Sequence, residues 1–311
     1  MITEIVNYKK FGKCIRLDNG SIEAYFTIDV GPRLIKFNCT DCMNMLFNDD
    51  PLERFVDVSA GFGEGKKWYT FGGHRMWISP EEMPKTYYPD QDPVEYDIKE
   101  TENEVIVTLI APVQKVTNLQ QKWVVTMGKQ GNELILDHYL TNAGSETVRK
   151  AIWGITVTDK NGIAVLREPE NFAALLPNRQ LALWPYTKLN DDRLLFGEKY
   201  IAVQQDPADT QVPAKIGYTN FEGKLYCFNY GQAMTISYDS DYTKGEYPDY
   251  GVSSEIYTNK AILEIESLGR LENIGAGETI THREVWSAVK CDYKPALNEQ
   301  SIGFAMEKAF S

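Results

Sequence analysis

The chain has 311 residues and carries 44 Asp and Glu against 32 Lys and Arg, a net charge of −12. That balance argues against nucleic acid, whose phosphates need clustered Lys and Arg, and against anionic membranes. It makes a neutral ligand more expected than a highly anionic one.

Turn signals punctuate short alternating segments throughout. Cys14–Asp18 and Ser21–Thr27 flank Asn19–Gly20, a strong hairpin signal, and Gly31–Phe37 continues as a third strand. Further strands are predicted over Val94–Lys99, Glu104–Ala111, Leu119–Met127, Glu133–Asn142 and Arg149–Thr158. A second Asn-Gly, at Asn161–Gly162, leads into Ile163–Leu166. Later strands are Tyr200–Gln204, Ala214–Tyr218, Lys224–Tyr230, Ala233–Tyr238, Ser253–Asn259, Lys260–Gly269 and Glu278–Val289.

Helix is scarce. Ser79–Glu82 reads as one capped turn with Pro80 at its first position, and Ser301–Phe310 as a terminal helix. Regular strands without intervening helical segments predict an all-β, mostly antiparallel sandwich. No linker or repeat divides the chain, so residues 1–311 are expected to form one domain. No apolar run reaches the roughly 18 residues that span a bilayer. The first ten residues lack a signal-peptide pattern, and a cytoplasmic location is expected.

Cys39–Cys42 has the spacing of a zinc knuckle or redox pair, but a zinc site needs two more ligands and a redox pair needs a βαβ setting. Both cysteines are therefore expected to be structural. Gly61–Gly65 lacks the dinucleotide pattern and reads as a loop. No cofactor is implied by any motif, and whether a metal sits between the carboxylates stays open.

The richest segment is Phe71-Gly-Gly-His-Arg-Met-Trp-Ile-Ser-Pro-Glu81, read as a loop. His74 can hold or donate a proton near neutral pH, Arg75 can fork two hydrogen bonds, and Trp77 offers a flat face to a sugar ring. Alternatively Arg75 pairs with Glu81 or Glu82 and Trp77 fills the core. His138 shares a strand face with Leu134, Leu136 and Leu140 and is expected to be a core residue. His282 is expected to pair structurally with Glu284, and Arg33 sits where a strand begins.

The last quarter holds two carboxylates in one strand. Strand side chains alternate, so Glu264 and Glu266 share one face while Leu263 and Ile265 share the other. Such a strand either faces solvent or lines a polar groove.

Three short motifs resemble the galactose mutarotase-like (aldose 1-epimerase-like) superfamily. Gly31-Pro-Arg-Leu-Ile resembles its early glycine-led strand. Glu255-Ile-Tyr-Thr-Asn259 followed by Leu263-Glu-Ile-Glu266 resembles its tyrosine-threonine strand and the strand bearing the catalytic glutamate. Ala276-Gly-Glu278 resembles its Pro-Gly-Glu turn.

The resemblance implies a β-supersandwich that interconverts sugar anomers, with a glutamate as base and a histidine as acid. It implies Glu266 as base, with Glu264 and Glu255 as near alternatives and substrate contacts, and Arg75 as the sugar-binding arginine. The family's acid histidine falls on the strand after an Asn-ended strand such as that closing at Asn142. Here that next strand, Lys150–Val157, has no histidine. Trp153 takes the place as a stacking surface, and His74 is expected to supply the acid from elsewhere. Arg33 is a further candidate substrate contact.

The partner expected is a small-molecule sugar, whose identity and phosphorylation the residues do not name. Oligomeric state is equally unreadable. A non-catalytic sugar-binding protein on the same scaffold is the alternative. A third reading is elimination chemistry using Tyr257 or Tyr139.

Overall fold

The structure is a computed structural model that describes residues 1–169, 175–206, 208 and 212–310. Two large antiparallel sheets carry the chain. One runs in the order 2–7, 13–18, 22–27, 34–39, 73–79, 148–158, 263–268, 254–258, 214–218 and 181–183, with 272–274 pairing beside 148–158. The other runs 194–196, 200–204, 163–167, 224–229, 232–238, 279–290, 133–142, 119–128, 104–110 and 95–100. Among the described residues no helix is long and apolar enough to cross a membrane.

The sheets bury one face of each against the other. Phe26, Leu34, Met76, Ile152, Ile256 and Ile265 from the first sheet join Val125, Leu136, Met234, Ile236 and Trp286 from the second in one apolar cluster. The 12-residue helix Glu299–Phe310 seals a smaller core with Ile302, Ala305 and Met306. Asn298 starts it, accepting a hydrogen bond from the Ser301 amide at 2.9 Å.

The Asn19–Gly20 hairpin forms, with Asn19 Oδ1 accepting from the Ser21 and Ile22 amides at 3.0 Å each. Ser254–Thr258 and Leu263–Leu268 also pair, with Glu255 opposite Glu266 and Tyr257 opposite Glu264. The five cysteines are free thiols, so Cys39 and Cys42 form no disulfide.

Three expectations require correction. The segment read as a rich loop contains the strand Gly73–Ser79, which lies inside the first sheet and pairs with Val148–Thr158 from Gly73–Val157 to Ser79–Ala151. Gly72 and Gly73, at φ 94° and 66°, let the backbone pass Phe47 and Leu34 before it straightens. The capped turn at Ser79–Glu82 does not form: Ser79 is the last residue of the strand, its Oγ donates to Asp249 at 3.3 Å, and Glu82 pairs with Lys85 and Lys150. Part of the Gly61–Gly65 stretch belongs to a one-turn helix, Ser59–Phe62.

A candidate active site on the outer face of the first sheet

Alternation decides which side chains reach the groove. On Gly73–Ser79, His74 and Met76 point into the sandwich while Arg75 and Trp77 point away from it. On Val148–Thr158 the outward residues are Trp153 and Ile155. On Leu263–Leu268 they are Glu264 and Glu266, while Leu263 and Ile265 are fully buried in the core. Lys215 and Tyr257 come from the next two strands. Trp68, Tyr87, Trp184 and Tyr186 rise around them, enclosing a groove of about 470 Å³. That is the size of small-molecule sites, roughly 300–1,000 Å³.

Of the six tryptophans in the chain, Trp68, Trp77, Trp153 and Trp184 line this groove. Trp77 lies 5.1 Å from Trp68 and 5.5 Å from Trp153, centroid to centroid, and 4.6 Å from the Tyr87 ring. Arg75 lies over Trp77 at 4.5 Å and donates to Glu264 at 3.2 Å. The Glu81 or Glu82 pairing considered for it is not made. Its Nε and Nη1 are buried without a hydrogen-bond partner, leaving two donors for a ligand.

Under the aromatic walls lies a charged cluster. Lys215 Nζ sits 2.6 Å from Glu255 Oε2 and 3.0 Å from Glu266 Oε2. Trp153 Nε1 donates to the same Glu266 oxygen at 2.8 Å. The other oxygen, Glu266 Oε1, is buried with no partner.

Burial opposes the Lys215 charge, but Glu255 and Glu266 outweigh it and hold its pKa above the ordinary lysine value. Burial pushes the Glu255 carboxyl well above the usual glutamate range, with Lys215 pulling it back. Burial also raises Glu264, opposed by Arg75 and assisted by Glu266.

Glu266, Glu264, Arg75, Trp77 and Trp153 are thus brought together. Glu255, expected as a substrate contact, is 1% exposed beneath Lys215 and does not line the groove. Arg33 is also absent from the groove: its guanidinium is buried, pairs with Asp90 at 2.6 Å and donates to the Thr70 carbonyl at 3.2 Å.

His74 is corrected most sharply. It is fully buried on the opposite face of its strand from Arg75, with Nδ1 at 2.9 Å from Thr156 Oγ1 and Nε2 at 2.9 Å from His138 Nε2. Burial, then the neighbouring His138, Arg75, His282 and Arg33, push its pKa well below the ordinary histidine value. A sealed imidazole of this kind cannot hand a proton to a ligand in the groove.

Lys215, Trp68, Trp184, Tyr87 and Tyr186 were not anticipated. For Lys215 a signal existed: in Ala214-Lys-Ile-Gly-Tyr218 it stands opposite Ala214, Ile216 and Tyr218, the lone cation on a strand face. Tyr257 lines the groove, whereas Tyr139 lies on the other sheet with Lys122 over its ring at 4.1 Å. A second cleft, about 540 Å³, runs beside the terminal helix past Arg167, Glu168 and Tyr200. It has no comparable aromatic walls, and Glu168 there is held by Arg179 and Tyr218.

No family model matches the chain, and no curated protein matches it in sequence. Solved structures do match in shape. A TPR-domain-containing protein from Parabacteroides distasonis ATCC 8503 superposes with a TM-score of 0.60 at 13% identity, over 92% of this chain and 48% of that one. The present chain therefore spans about half of that protein's length.

A galactose mutarotase-like protein from Lactobacillus casei ATCC 334 gives 0.55 at 12% identity, over 89% of this chain and 100% of that one. One from Clostridium acetobutylicum gives 0.54 at 12%, over 93% and 99%. Identities this low speak to architecture and leave the chemistry to the site itself. The chain has the galactose mutarotase-like β-supersandwich fold.

Proposed function

We propose that the groove binds a free aldose and interconverts its anomers by general acid–base catalysis, with Glu266 as the base and Glu264 as the acid. The observation that carries this reading is Glu266 Oε1, a buried carboxylate oxygen with no partner on the floor of an aromatic groove. It accepts the proton of the anomeric hydroxyl. The C1–O5 bond breaks as C1 becomes an aldehyde, and the ring oxygen takes a proton from the acid. Rotation about C1–C2 and the reverse steps close the other anomer, so protons balance over the cycle.

A base and an acid on one strand face suit this division, because the anomeric and ring oxygens are bonded to the same carbon. Glu264 fits the acid role because burial favours its protonated form. Lys215 and Trp153 fix Glu266 through its other oxygen, leaving Oε1 for the sugar. The free Arg75 donors and the tryptophan faces orient the ring. The neutral sugar expected from the chain's acidity also suits a groove whose floor cation, Lys215, is already paired with Glu255 and Glu266.

A non-catalytic sugar-binding protein is the second reading, favoured by one observation: all three histidines of the chain lie buried away from the groove. Magnetisation-exchange NMR of anomer interconversion across a panel of free and phosphorylated aldoses separates the two. Exchange above the spontaneous rate supports the epimerase. Binding to several sugars with no added exchange overturns it in favour of the binding protein.

A further inference from the structure

The residues that leave the groove unexplained sit between the sheets. His74, His138 and His282, all three histidines of the chain, converge there with Glu284, and each is 5% exposed or less. They arrive from strands 73–79, 133–142 and 279–290, with His138 directly opposite His282 in register.

We propose that His74 Nε2, His138 Nε2 and the Glu284 carboxylate bind a divalent metal ion of the zinc class. The two imidazole nitrogens are 2.9 Å apart and Glu284 Oε2 is 3.5 Å from His74 Nε2. All three ligand atoms lie within 4.8 Å of one another. With metal–ligand bonds of about 2.05 Å, separations of 2.9 and 3.5 Å subtend roughly 90° and 115–120° at a shared ion. Closing an edge of 4.8 Å to about 3.5 Å requires a relative shift of up to about 1.3 Å, shared between the two side chains.

The surroundings are those of held ligands. His138 Nδ1 donates to the His282 carbonyl at 3.1 Å, which in the neutral ring leaves Nε2 as a bare lone pair facing His74. His74 Nδ1 is engaged by Thr156 Oγ1 at 2.9 Å. Glu284 accepts from Ser267 Oγ at 2.5 Å on one oxygen and from Trp286 Nε1 at 2.8 Å on the other. The two imidazoles are anchored through their far nitrogens and Glu284 through both oxygens, the kind of outer contact by which proteins fix ligand orientation toward a metal.

Charge is compatible with this: among the described residues no Lys or Arg pairs with Glu284, so its ionised form has no cationic side chain beside it other than a protonated His74. A divalent ion supplies that missing charge. The cluster also packs closely on the strand beside it: a Cβ on Gly154 would fall 2.4 Å from Glu284 Oε1 and 2.9 Å from Ser267 Oγ, so only glycine fits there. A closed site with imidazole and carboxylate ligands favours a zinc-class ion bound during folding, with water or the second Glu284 oxygen in the fourth position.

The test is metal content per chain by inductively coupled plasma mass spectrometry. The protein is made in medium supplemented with zinc, manganese, iron and cobalt, and purified without chelators. About one equivalent per chain is expected in wild type, falling about 10-fold or more in Glu284→Gln and in His138→Gln.

Cobalt-grown protein should show visible ligand-field bands that the same substitutions abolish, a readout independent of groove activity. Wild type that is folded yet metal-free, and takes up neither zinc nor cobalt on refolding, overturns the site and leaves a dry hydrogen-bonded cluster. Full metal content in both substituted proteins places the ion elsewhere and overturns it equally.

Discussion

Lys215 Nζ lies 3.0 Å from Glu266 Oε2, 51 positions away in sequence, tying the floor of the groove together. The same ammonium holds Glu255 at 2.6 Å, so one cation serves two buried carboxylates. Its place over the Trp153 and Trp184 rings, 4.6 Å from each, adds cation–π attraction.

Removing that cation should expose the cost of the arrangement. Lys215→Met leaves Glu255 and Glu266 uncompensated, and a loss of roughly 3–5 kcal/mol in urea-unfolding free energy is expected. Adding Glu255→Gln should restore part of it, because one stranded charge is then gone. A single-substitution loss below about 0.5 kcal/mol, the range of ordinary surface changes, would contradict the pairing.

The pH dependence follows from Glu264. Burial holds its carboxyl above the ordinary 4.5, with Arg75 opposing and Glu266 assisting. A carboxyl whose pKa rises on folding binds its proton more tightly in the native state. The stability it contributes is complete below pH 4.5 and is lost as pH climbs through the folded-state value. Wild type should therefore lose stability relative to Glu264→Gln as pH rises from about 4.5 toward neutrality. Thermal unfolding of both proteins across that window checks this; parallel curves, or a gap that closes in the other direction, would count against it.

Trp153 has two tasks, and substitution separates them. Trp153→Phe keeps an aromatic face but removes the 2.8 Å hydrogen bond to Glu266. Hydrogen bonds to charged groups are worth about 1.5–3 kcal/mol, so a fall of roughly 10- to 100-fold in exchange rate is expected with sugar affinity largely retained. Comparable losses in both, measured by exchange NMR and fluorescence titration, would show that the ring's contribution is packing alone.

The legible part of this protein was its alternation. Glu264 and Glu266 could be assigned one face because Leu263 and Ile265 between and beside them are apolar, and the structure buries both of those at 0% exposure. Gly73–Ser79 hid its nature for the converse reason. All seven of its residues are buried, so no polar–apolar alternation appears, and paired glycines before it and Pro80 after it mimic a loop. A loop reading of this segment carries no facing for His74 and Arg75, whereas the strand puts the imidazole in the core and the guanidinium in the groove. Lys215 carries little local signal because its partners lie on other strands, 40 and 51 positions away. The gathering of three histidines at one point depends on strand order, which local pattern does not carry.

The central claim rests on Glu266, and exchange NMR of sugar anomers with wild type beside Glu266→Gln tests it most directly. The account predicts catalysed exchange in wild type and its loss by about 100-fold or more in the amide variant, with the fold and sugar binding intact. Exchange that persists at the wild-type rate in folded Glu266→Gln would contradict it.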